Sequence, residues 1–418
     1  MVRFDTEYMA RAIQLAQQGL FTTDPNPRVG CVLVKQNSII GEGWHQIAGE
    51  PHAEVHALHS AGVEARGCTA YVTLEPCSHF GKTPPCANAL IDAGVSRVVF
   101  ATVDPNPLVA GKGAERLVNA GIQIDSGVLS EQAKALNPGF FSRFERGRPY
   151  IRIKMAMSVD GRTAMQSGES QWITGPPARA DVQKLRARSS AIVTGSGTVK
   201  YDDPKMTVRA RLLRLSSNPE IDARQHELLQ QKAQPDRYII AATGQILASS
   251  QIFRQPGKSC LVIPDCIDSR SAYAHLIDTC SHSTSTHSSQ GPALAGVRPA
   301  EFELLPLPVA KVAESESSVS GDRLRVDLDA FVHELDKRGC NEILVEAGAG
   351  LAGEFVQAGL VDELWLYMAP VLMGSEARPL LQLPVNSMAD RWPLELKDMR
   401  MMGDDIRFIY VPGTKGTY

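Results

Sequence analysis

Hydrophobic positions in the first third of the chain alternate between helical spacing and short runs typical of strands. Apolar side chains at Met9, Ile13 and Ala16 recur at helical intervals, which predicts a helix over residues 6–19. Runs rich in β-branched and aromatic residues predict strands at 29–34, 38–43, 68–74, 95–103 and 121–124. Further helices are expected at 52–60, 87–93 and 114–120. This alternation predicts an α/β layer fold around a central sheet.

A second series of strands and helices follows a short polar joint at Gly147-Arg148-Pro149. Alternating apolar residues predict a strand over 150–157, and a helix is expected over 176–188. The chain has 418 residues, more than one ordinary core holds. We therefore predict two α/β domains, residues 1–147 and 148–418, and interpret the polar segment 210–234 as a variable insertion in the second.

Charge and composition narrow the class of protein. The formal net charge is -3, so no basic surplus indicates a nucleic-acid partner. The N-terminus lacks a basic region followed by an apolar run, and no apolar stretch reaches the roughly 18 residues of a membrane span. Eight cysteines are too sparse for a disulfide scaffold. We therefore expect a cytoplasmic protein with no membrane partner.

The clearest candidates for a catalytic metal site are His52, Glu54, Cys77 and Cys86. A catalytic zinc takes three protein ligands of the imidazole and thiolate type and leaves a fourth position for water. Glu54, two residues after the histidine, is then free to act on that water as an acid and base. The pattern H-x-E followed by P-C-x-x-C is the signature of zinc deaminases. Here eight residues separate Cys77 from Cys86, so the second half of the signature is wider than usual.

Two glycine-rich turns follow predicted strands in the second half, at Gly195-Ser196-Gly197-Thr198 and at Gly348-Ala349-Gly350. Glycines after a strand let backbone N–H groups approach a phosphate closely. Two such turns in one domain suggest a dinucleotide lying across strand ends. Neither turn completes G-x-G-x-x-G, so a standard Rossmann fold is not indicated.

The first half resembles the deaminase half of the bifunctional riboflavin biosynthesis enzymes. The stretches that carry the resemblance are His52-Ala53-Glu54, Thr73-Leu74-Glu75-Pro76-Cys77, Thr83-Pro84-Pro85-Cys86 and Asp104-Pro105-Asn106-Pro107. In that family a diaminohydroxyphosphoribosylaminopyrimidine deaminase is fused to a 5-amino-6-(5-phosphoribosylamino)uracil reductase. The resemblance implies a cytidine-deaminase-like α/β/α domain in which His52, Cys77 and Cys86 hold one Zn²⁺ and Glu54 moves the proton. The candidates for gripping the substrate are Asn26, His45 and Lys82.

The second half is similar to the reductase half of the same family, which has a dihydrofolate-reductase-like α/β fold and uses NADPH. The matching stretches are Lys154-x-Ala156-x-Ser158-x-Asp160-Gly161-Arg162, Ser170-x-Trp172-Ile173-Thr174, Asp202-Asp203-Pro204 and Val345-Glu346-Ala347-Gly348. The resemblance implies cofactor contacts at Ala156, Trp172, Thr198, Asp202, Gly348, Ala349, Gly350, Leu351 and Ala352. It implies substrate contacts at Ser170, Arg186, Met206, Arg209 and Glu346, and the arginines suit a ribose phosphate because a guanidinium can bind it bidentately. Lys154 or a carboxylate is expected to handle the proton.

One feature of the second half departs from the family. The strand that often reads Val-Asp-Ser in relatives ends here in Ala241-Ala242, so a cofactor-side hydroxyl is expected to be missing. The resemblance further implies small phosphorylated pyrimidine substrates and a homodimer or homotetramer formed chiefly through the reductase half.

Two other functions fit the zinc motif taken alone. The first is a zinc deaminase of a nucleic-acid base or another nucleotide, with an unrelated C-terminal reductase-like domain; the near-neutral charge and the wide cysteine spacing argue against it. The second is a binding protein with a structural zinc and no turnover. Structural zinc sites usually have four protein ligands, whereas this motif offers three and a glutamate placed for proton transfer. Separate assays of ammonia release and NADPH oxidation distinguish these hypotheses.

Overall fold

The computed structural model describes residues 3–79, 84–241, 246–266, 300–310 and 324–413. The chain folds into two compact units. The first contains residues 1–148 and 214–232, and the second contains residues 149–213 and 233–418. Residues 214–232 were assigned to the second domain on sequence, but they belong to the first compact unit.

The first unit is a five-stranded sheet covered on both faces. Its strands are β1 (Gly30–Lys35), β2 (Ser38–Trp44), β3 (Thr69–Val72), β4 (Arg97–Phe100) and β5 (Gln123–Ser126), in the order β2-β1-β3-β4-β5. The helices of residues 1–148 are α1 (Arg3–Gln17), α2 (Ala53–Ala61), α3 (Cys86–Asp92), α4 (Lys112–Asn119), α5 (Ser130–Leu136) and α6 (Pro138–Arg146). Leu33 packs in one core cluster and Val32 in another, because successive strand residues face opposite sides of the sheet. The α/β/α prediction is therefore confirmed.

Glycines in β2 fix where helix α2 lies. A Cβ at Gly43 would lie 2.3 Å from the Ala53 carbonyl oxygen, and one at Gly41 would lie 2.4 Å from that of Ala57. Only glycine allows the helix backbone to approach the strand this closely. The N-terminal end of α2, which carries His52 and Glu54, is thereby held against the sheet.

Helix α9 (Pro219–Gln231) belongs to the first unit although its neighbours in sequence belong to the second. Asn218 caps it by accepting hydrogen bonds from two backbone N–H groups. Leu228 is buried in the cluster beneath α1, and the Gln225 side chain donates to the Gln18 carbonyl oxygen at 3.0 Å. Arg224 donates to the side-chain oxygen of Gln46 at 2.8 Å. The segment interpreted as a variable insertion thus completes the core of the first unit.

The second unit is built on a nine-stranded sheet. Its strands are β6 (Tyr150–Ser158), β8 (Ala191–Gly195), β9 (Asp236–Ile240), β10 (Gly257–Pro264), β11 (Ala300–Leu307), β12 (Glu342–Val345), β13 (Glu363–Ala369), β15 (Leu394–Met402) and β16 (Asp405–Pro412). The order is β11-β10-β9-β8-β12-β6-β13-β16-β15, parallel from β11 through β13 and antiparallel at the last two strands. A small ribbon joins β7 (Arg162–Ala164) to β14 (Arg378–Pro379).

The described part of the second unit has four α-helices: α7 (Pro176–Arg188), α8 (Ser196–Asp202), α10 (Leu328–Lys337) and α11 (Ala349–Gln357). Neighbouring parallel strands have their C-terminal ends at the same edge of the sheet. The residues that follow β6, β8 and β12 therefore lie close together at that edge. In the part of the chain that the structure describes, no helix is long and apolar enough to cross a bilayer.

The polar face of β6 carries a buried charge, unlike the solvated face that strand alternation usually gives. Ile151 and Ile153 on the apolar face are fully buried, and Arg152 on the other face is only 2% exposed. Its guanidinium pairs with Glu342 and, at 2.7 Å, with Glu363. Buried charges persist only when they are paired in this way. The sheet therefore carries an internal ion cluster that sequence alternation alone does not reveal.

Candidate active sites

Three segments bring the predicted metal ligands together in the first unit. His52 occupies the N-cap position of α2, and Cys86 is the first residue of α3. Cys77 follows β3, and its carbonyl oxygen accepts a hydrogen bond from the Ala87 amide at 3.1 Å. Two helix N-termini thus face one point, where their positive ends favour thiolates.

The spacing of the three donor atoms fits zinc. The His52 Nδ1 atom lies 3.2 Å from the Cys86 sulfur and 3.7 Å from the Cys77 sulfur. Nitrogen and sulfur ligands on a tetrahedral zinc lie about 3.5 Å apart, given bond lengths of about 2.0 and 2.3 Å, and the two distances lie on either side of that value. The described residues thus offer two thiols and one imidazole, all within 4.8 Å of one another, which is the donor set of a catalytic zinc site.

Glu54 lies beside these ligands with one free oxygen. Its side chain is only 3% exposed, and Oε2 has no hydrogen-bond partner among the described residues. Burial raises the pKa of this carboxyl group above its usual value. A buried acceptor without a partner is costly, so its position here indicates a ligand or a water in the cavity.

The thiols differ in acidity. A hydrogen bond from the Cys86 side chain, with a further one from His52, lowers the pKa of Cys77 to about 4. The Cys77 side chain conversely raises the pKa of Cys86 and that of the His52 imidazole. The Cys77 sulfur also accepts a hydrogen bond from the Cys86 amide at 3.3 Å. Cys77 is therefore prepared as a thiolate, the form that binds metal.

Asn26 and His45, two of the predicted substrate residues, lie side by side. The His45 Nδ1–H donates to the Pro51 carbonyl oxygen at 3.1 Å, so Nε2 is left to accept from the Asn26 amide at 3.1 Å. Burial lowers the pKa of His45 to about 4, so the ring is neutral near pH 7. Lys82, the third candidate, lies outside the described residues.

One cavity of 360 Å³ is lined by Asn26, His45, His52, Glu54 and Cys77. Its wall also contains residues that the sequence analysis left without a role: Glu75, His79, Asp104, Asn106 and Phe140. Burial raises the pKa of Asp104 to about 6. The sequence offered one reason to expect Asp104 and Asn106 in the site. Asp104-Pro105-Asn106-Pro107 repeats the motif Asp24-Pro25-Asn26-Pro27, which contains the predicted substrate residue Asn26.

A second cavity, of 800 Å³, lies within the second unit and collects nearly all of the predicted reductase residues. Those lining it are Lys154, Ala156, Ser170, Trp172, Arg186, Thr198, Asp202, Met206, Arg209, Glu346, Gly348, Ala349, Gly350 and Leu351. Ala352 is fully buried in the main hydrophobic cluster and does not line the cavity. The cavity also contains residues that were not predicted, including Arg179, Gln251, Arg378 and Gln382.

The hydrogen-bond donors of the Arg186 guanidinium are already paired with other protein groups. Its guanidinium donates to both oxygens of Glu346, at 2.6 and 2.9 Å, and to the Thr207 carbonyl oxygen at 3.1 Å. The bidentate face expected to bind a phosphate therefore carries a carboxylate in this structure. Arg209 has no such partner among the described residues, and burial together with nearby arginines lowers its pKa. Among the described residues, Arg209 is therefore a cation of this wall whose guanidinium is open to an anion.

Lys154 lies on β6 within the same cavity, where its Nζ is 5.9 Å from the centre of the Tyr367 ring. Burial lowers the pKa of its ammonium group, and Arg186 acts in the same direction, while Glu346 opposes them. An ammonium with a lowered pKa gives up its proton more readily. The same cavity is lined by Ser170 and Asp202, and the Ser170 hydroxyl donates to the Asp202 carboxylate at 2.7 Å.

The glycine-rich turns leave room for a phosphate-bearing cofactor. A Cβ built on Gly197 or Gly348 would meet no atom within 4 Å, so both backbones border open space. Gly348 is the N-cap of α11, whose first N–H groups lie at that edge. These turns fit the diphosphate of a nicotinamide cofactor. Ala241 is fully buried, and Ala242 lies outside the described residues.

Comparison with known proteins agrees with the presence of one site in each of two compact units. The cytidine and deoxycytidylate deaminase zinc-binding region matches residues 2–102, and the RibD C-terminal domain matches residues 149–408. The riboflavin biosynthesis protein RibD of Escherichia coli is 46% identical over 405 residues, covering 96% of this chain and 98% of its own length. That of Haemophilus influenzae is 43% identical over 409 residues, covering 98% and 97%.

Solved structures show the same relationship. Acinetobacter baumannii RibD superposes with a TM-score of 0.79 at 39% identity and covers 99% of both chains. A diaminohydroxyphosphoribosylaminopyrimidine deaminase/5-amino-6-(5-phosphoribosylamino)uracil reductase from Thermotoga maritima gives a TM-score of 0.73 at 27% identity, covering 98% of this chain and 99% of its own. The predicted pairing of a cytidine-deaminase-like domain with a dihydrofolate-reductase-like domain is confirmed. The chain belongs to the RibD family, the bifunctional deaminase and reductase enzymes of riboflavin biosynthesis.

Proposed function

We propose that the chain catalyses two consecutive steps. The first unit hydrolyses the amine of 2,5-diamino-6-(5-phosphoribosylamino)pyrimidin-4(3H)-one, and the second reduces the ribosyl chain of the product with NADPH to give 5-amino-6-(5-phosphoribitylamino)uracil. The observation that carries the first assignment is the zinc-type donor set of His52, Cys77 and Cys86 beside the unpartnered Glu54 oxygen. The second assignment is supported by Lys154, Glu346 and the glycine-rich turns around one cavity.

In the deaminase site, zinc held by the two thiolates and the imidazole would supply a Lewis acid that activates a water. Glu54 Oε2 takes the proton of that water and passes it to the departing amine, which leaves as ammonia. The buried, raised-pKa carboxyl group suits this role because it can hold the proton between the two transfers. His52, Cys77 and Cys86 would thus hold the metal, while Glu54 moves the proton.

The pyrimidine ring is recognised by neutral groups and one carboxyl group. Asn26 keeps its carbonyl oxygen for the substrate because its amide donates to His45. Asp104 offers an acceptor for the substrate's exocyclic N–H groups, while its Oδ1 also accepts from the Asn106 amide at 2.8 Å. Acceptors of this kind suit an amino-substituted pyrimidine.

In the reductase site, NADPH would supply a hydride for C1 of the ribose, and the glycine-rich turns would hold its diphosphate. Reduction requires the bond between C1 and the ring oxygen to break, and that oxygen then needs a proton. We assign this proton to Lys154, whose lowered pKa makes its ammonium group a competent donor. Arg209, rather than the occupied Arg186, is the residue to which we assign the ribose phosphate.

Strand β15, at one edge of the nine-stranded sheet, supports self-association. A bulge at Lys397 shifts the register between Leu396 and Asp398, so Leu394, Leu396, Met399 and Met401 all pair with even-numbered residues of β16. These four side chains are 38–63% exposed, and on β16 they adjoin Phe408 and Tyr410. An exposed apolar stripe on an unpaired edge strand favours pairing with another copy.

Met399→Glu should therefore weaken the homo-oligomer, because it places a charge in the centre of the stripe. Sedimentation velocity of the wild type should show a dimer or larger assembly, and the variant should shift toward the monomer. Glu395→Gln, on the other face of the same strand, serves as the control and should keep the wild-type assembly. A variant that sediments like the wild type would contradict this interface.

Removal of the metal tests the assignment of the first step. After treatment with a chelator, ammonia release from the diaminopyrimidine substrate should fall to background, because the activated water is lost. NADPH oxidation with the deaminated intermediate should continue at the untreated rate, since the second cavity contains no residue of the zinc cluster. Restoring Zn²⁺ should restore ammonia release; deamination that is indifferent to chelation would overturn the assignment.

A further inference from the structure

Glu75 carries a buried carboxylate for which the deamination chemistry has no use. It follows β3, lies two residues before Cys77 and is only 3% exposed. Its backbone amide continues the pairing between β3 and β4 by donating to the Thr102 carbonyl oxygen at 2.9 Å. The side chain therefore leaves the sheet at a fixed position next to the cavity.

The carboxylate accepts four backbone hydrogen bonds from one segment. Oε1 accepts from the amides of Gly113 and Ala114 at 3.0 and 3.1 Å. Oε2 accepts from the amide of Gly111 at 3.0 Å and, at a longer 3.4 Å, from that of Asp104. Charged acceptors make stronger hydrogen bonds than neutral ones, and burial increases the cost of losing them.

Two of these donors belong to the first turn of α4. Its N-cap residue is Gly111, which has no side chain to cap the helix. Glu75 supplies the cap from a distant segment and brings a negative charge to the positive end of the helix. Gly113 fits tightly there, because a Cβ at this position would lie 1.9 Å from the Pro76 carbonyl oxygen.

The other two donors bracket the loop that reaches the cavity. The amides of Asp104 and Gly111 lie at its two ends, and both are bonded to the same carboxylate oxygen. Within the loop, Asp104, Asn106 and Val109 line the cavity. The Asp104 side chain accepts from the Asn106 amide at 2.8 Å, so the position of one residue determines that of the other.

We propose that Glu75 is a positioning residue of the deaminase site: by tying the two ends of the 104–111 loop and the start of α4 to one carboxylate, it holds Asp104 and Asn106 against the substrate. This inference rests on the proposed function, because it assumes that the cavity binds the pyrimidine. Both Glu75 oxygens accept hydrogen bonds from backbone amides of this segment, so we assign its effect to the loop and not to the reacting atoms.

The test is a kinetic comparison of full-length Glu75→Gln with wild type. Glutamine keeps the shape but replaces one acceptor oxygen with an NH₂ group that faces N–H donors. We expect the deaminase KM to rise about tenfold, the size of effect produced by losing a strong buried hydrogen bond, with a smaller change in kcat. Zinc content and NADPH oxidation with the deaminated intermediate should match the wild type.

A double-mutant cycle identifies the route of the effect. In an Asp104→Ala background, Glu75→Gln should raise the KM by much less than in the wild type, because the residue that it positions is gone. Glu64→Gln, at an exposed position of the same unit, is the matched control and should keep the wild-type KM. A purely structural role predicts less zinc or less folded enzyme with an unchanged KM, and that result would overturn the proposal.

Equal KM increases in both backgrounds would also overturn it. Wild-type and Glu64→Gln proteins are assayed alongside, so a failure of the deaminase assignment appears as absent ammonia release in those two proteins. Failure of the positioning role appears instead as an active Glu75→Gln enzyme with the wild-type KM.

Discussion

Glu54→Gln should abolish deamination while leaving the rest of the enzyme intact. The amide cannot take a proton from water or return it to the amine, so we expect kcat for ammonia release to fall by about 10²–10⁴-fold. The substitution keeps the volume of a side chain that is almost fully buried, and it replaces an oxygen that has no hydrogen-bond partner among the described residues. The fold of α2 should therefore survive.

Three readouts separate this from a general loss of structure. Zinc content measured by atomic absorption should remain at the wild-type level, because His52, Cys77 and Cys86 are unchanged. NADPH oxidation with the deaminated intermediate should proceed at the wild-type rate, and Glu64→Gln should deaminate normally. Ammonia release within tenfold of wild type by metal-replete Glu54→Gln would exclude the proposed proton transfer.

Lys154→Met should produce the opposite phenotype. Methionine preserves an unbranched side chain on β6 but has no proton to give, so we expect NADPH oxidation to slow by about 10²–10⁴-fold. Ammonia release should be unaffected, because Lys154 belongs to the other compact unit. The deaminated intermediate should then accumulate in the presence of NADPH.

Chromatography of the reaction mixture measures that accumulation directly. Lys337→Met, at an exposed position of α10, makes the same replacement away from the cavity and should reduce the intermediate normally. Cofactor affinity, followed by the fluorescence of NADPH, should change little in Lys154→Met. Normal hydride transfer in this variant would shift the proton to a carboxyl group such as Asp202 or Glu346, both of which line the cavity.

Much of the fold could be predicted because the local patterns agree with the global structure. The predicted helix over 176–188 coincides with α7, and the predicted strand over 150–157 is β6 with one added residue. His52 and Cys86 were expected at helix starts, where the structure places them. The zinc motif was readable because its residues lie at short, fixed spacings around a proline and a helix N-terminus.

Other features depend on contacts between distant residues, which periodicity does not encode. Helix α9 looks like a polar insertion because only a few of its side chains, such as Leu228, are buried in the first unit. The pairing of Arg186 with Glu346 joins residues 160 positions apart, so sequence suggested a free arginine where the structure has an ion pair. Helices α5 and α6 were missed, since their short apolar patterns fall between stronger signals.

Glu75 illustrates the same limit on a smaller scale. It belongs to a motif that was recognised for its cysteine, yet its four donors lie 29–39 residues further along the chain. Nothing in its neighbours predicts a carboxylate surrounded by backbone amides. Asp104 was likewise visible as part of a repeated turn, but only the fold places it in the cavity wall.

The order of the two reactions tests the central claim most directly. Metal-replete wild-type protein is given the diaminopyrimidine substrate, with and without NADPH, and ammonia and NADPH are followed in the same sample. We predict that ammonia appears at the same initial rate in both samples, and that one NADPH is oxidised per ammonia after a lag. NADPH oxidation that precedes ammonia release, or that proceeds without it, would contradict the assignment of two sites acting in this sequence.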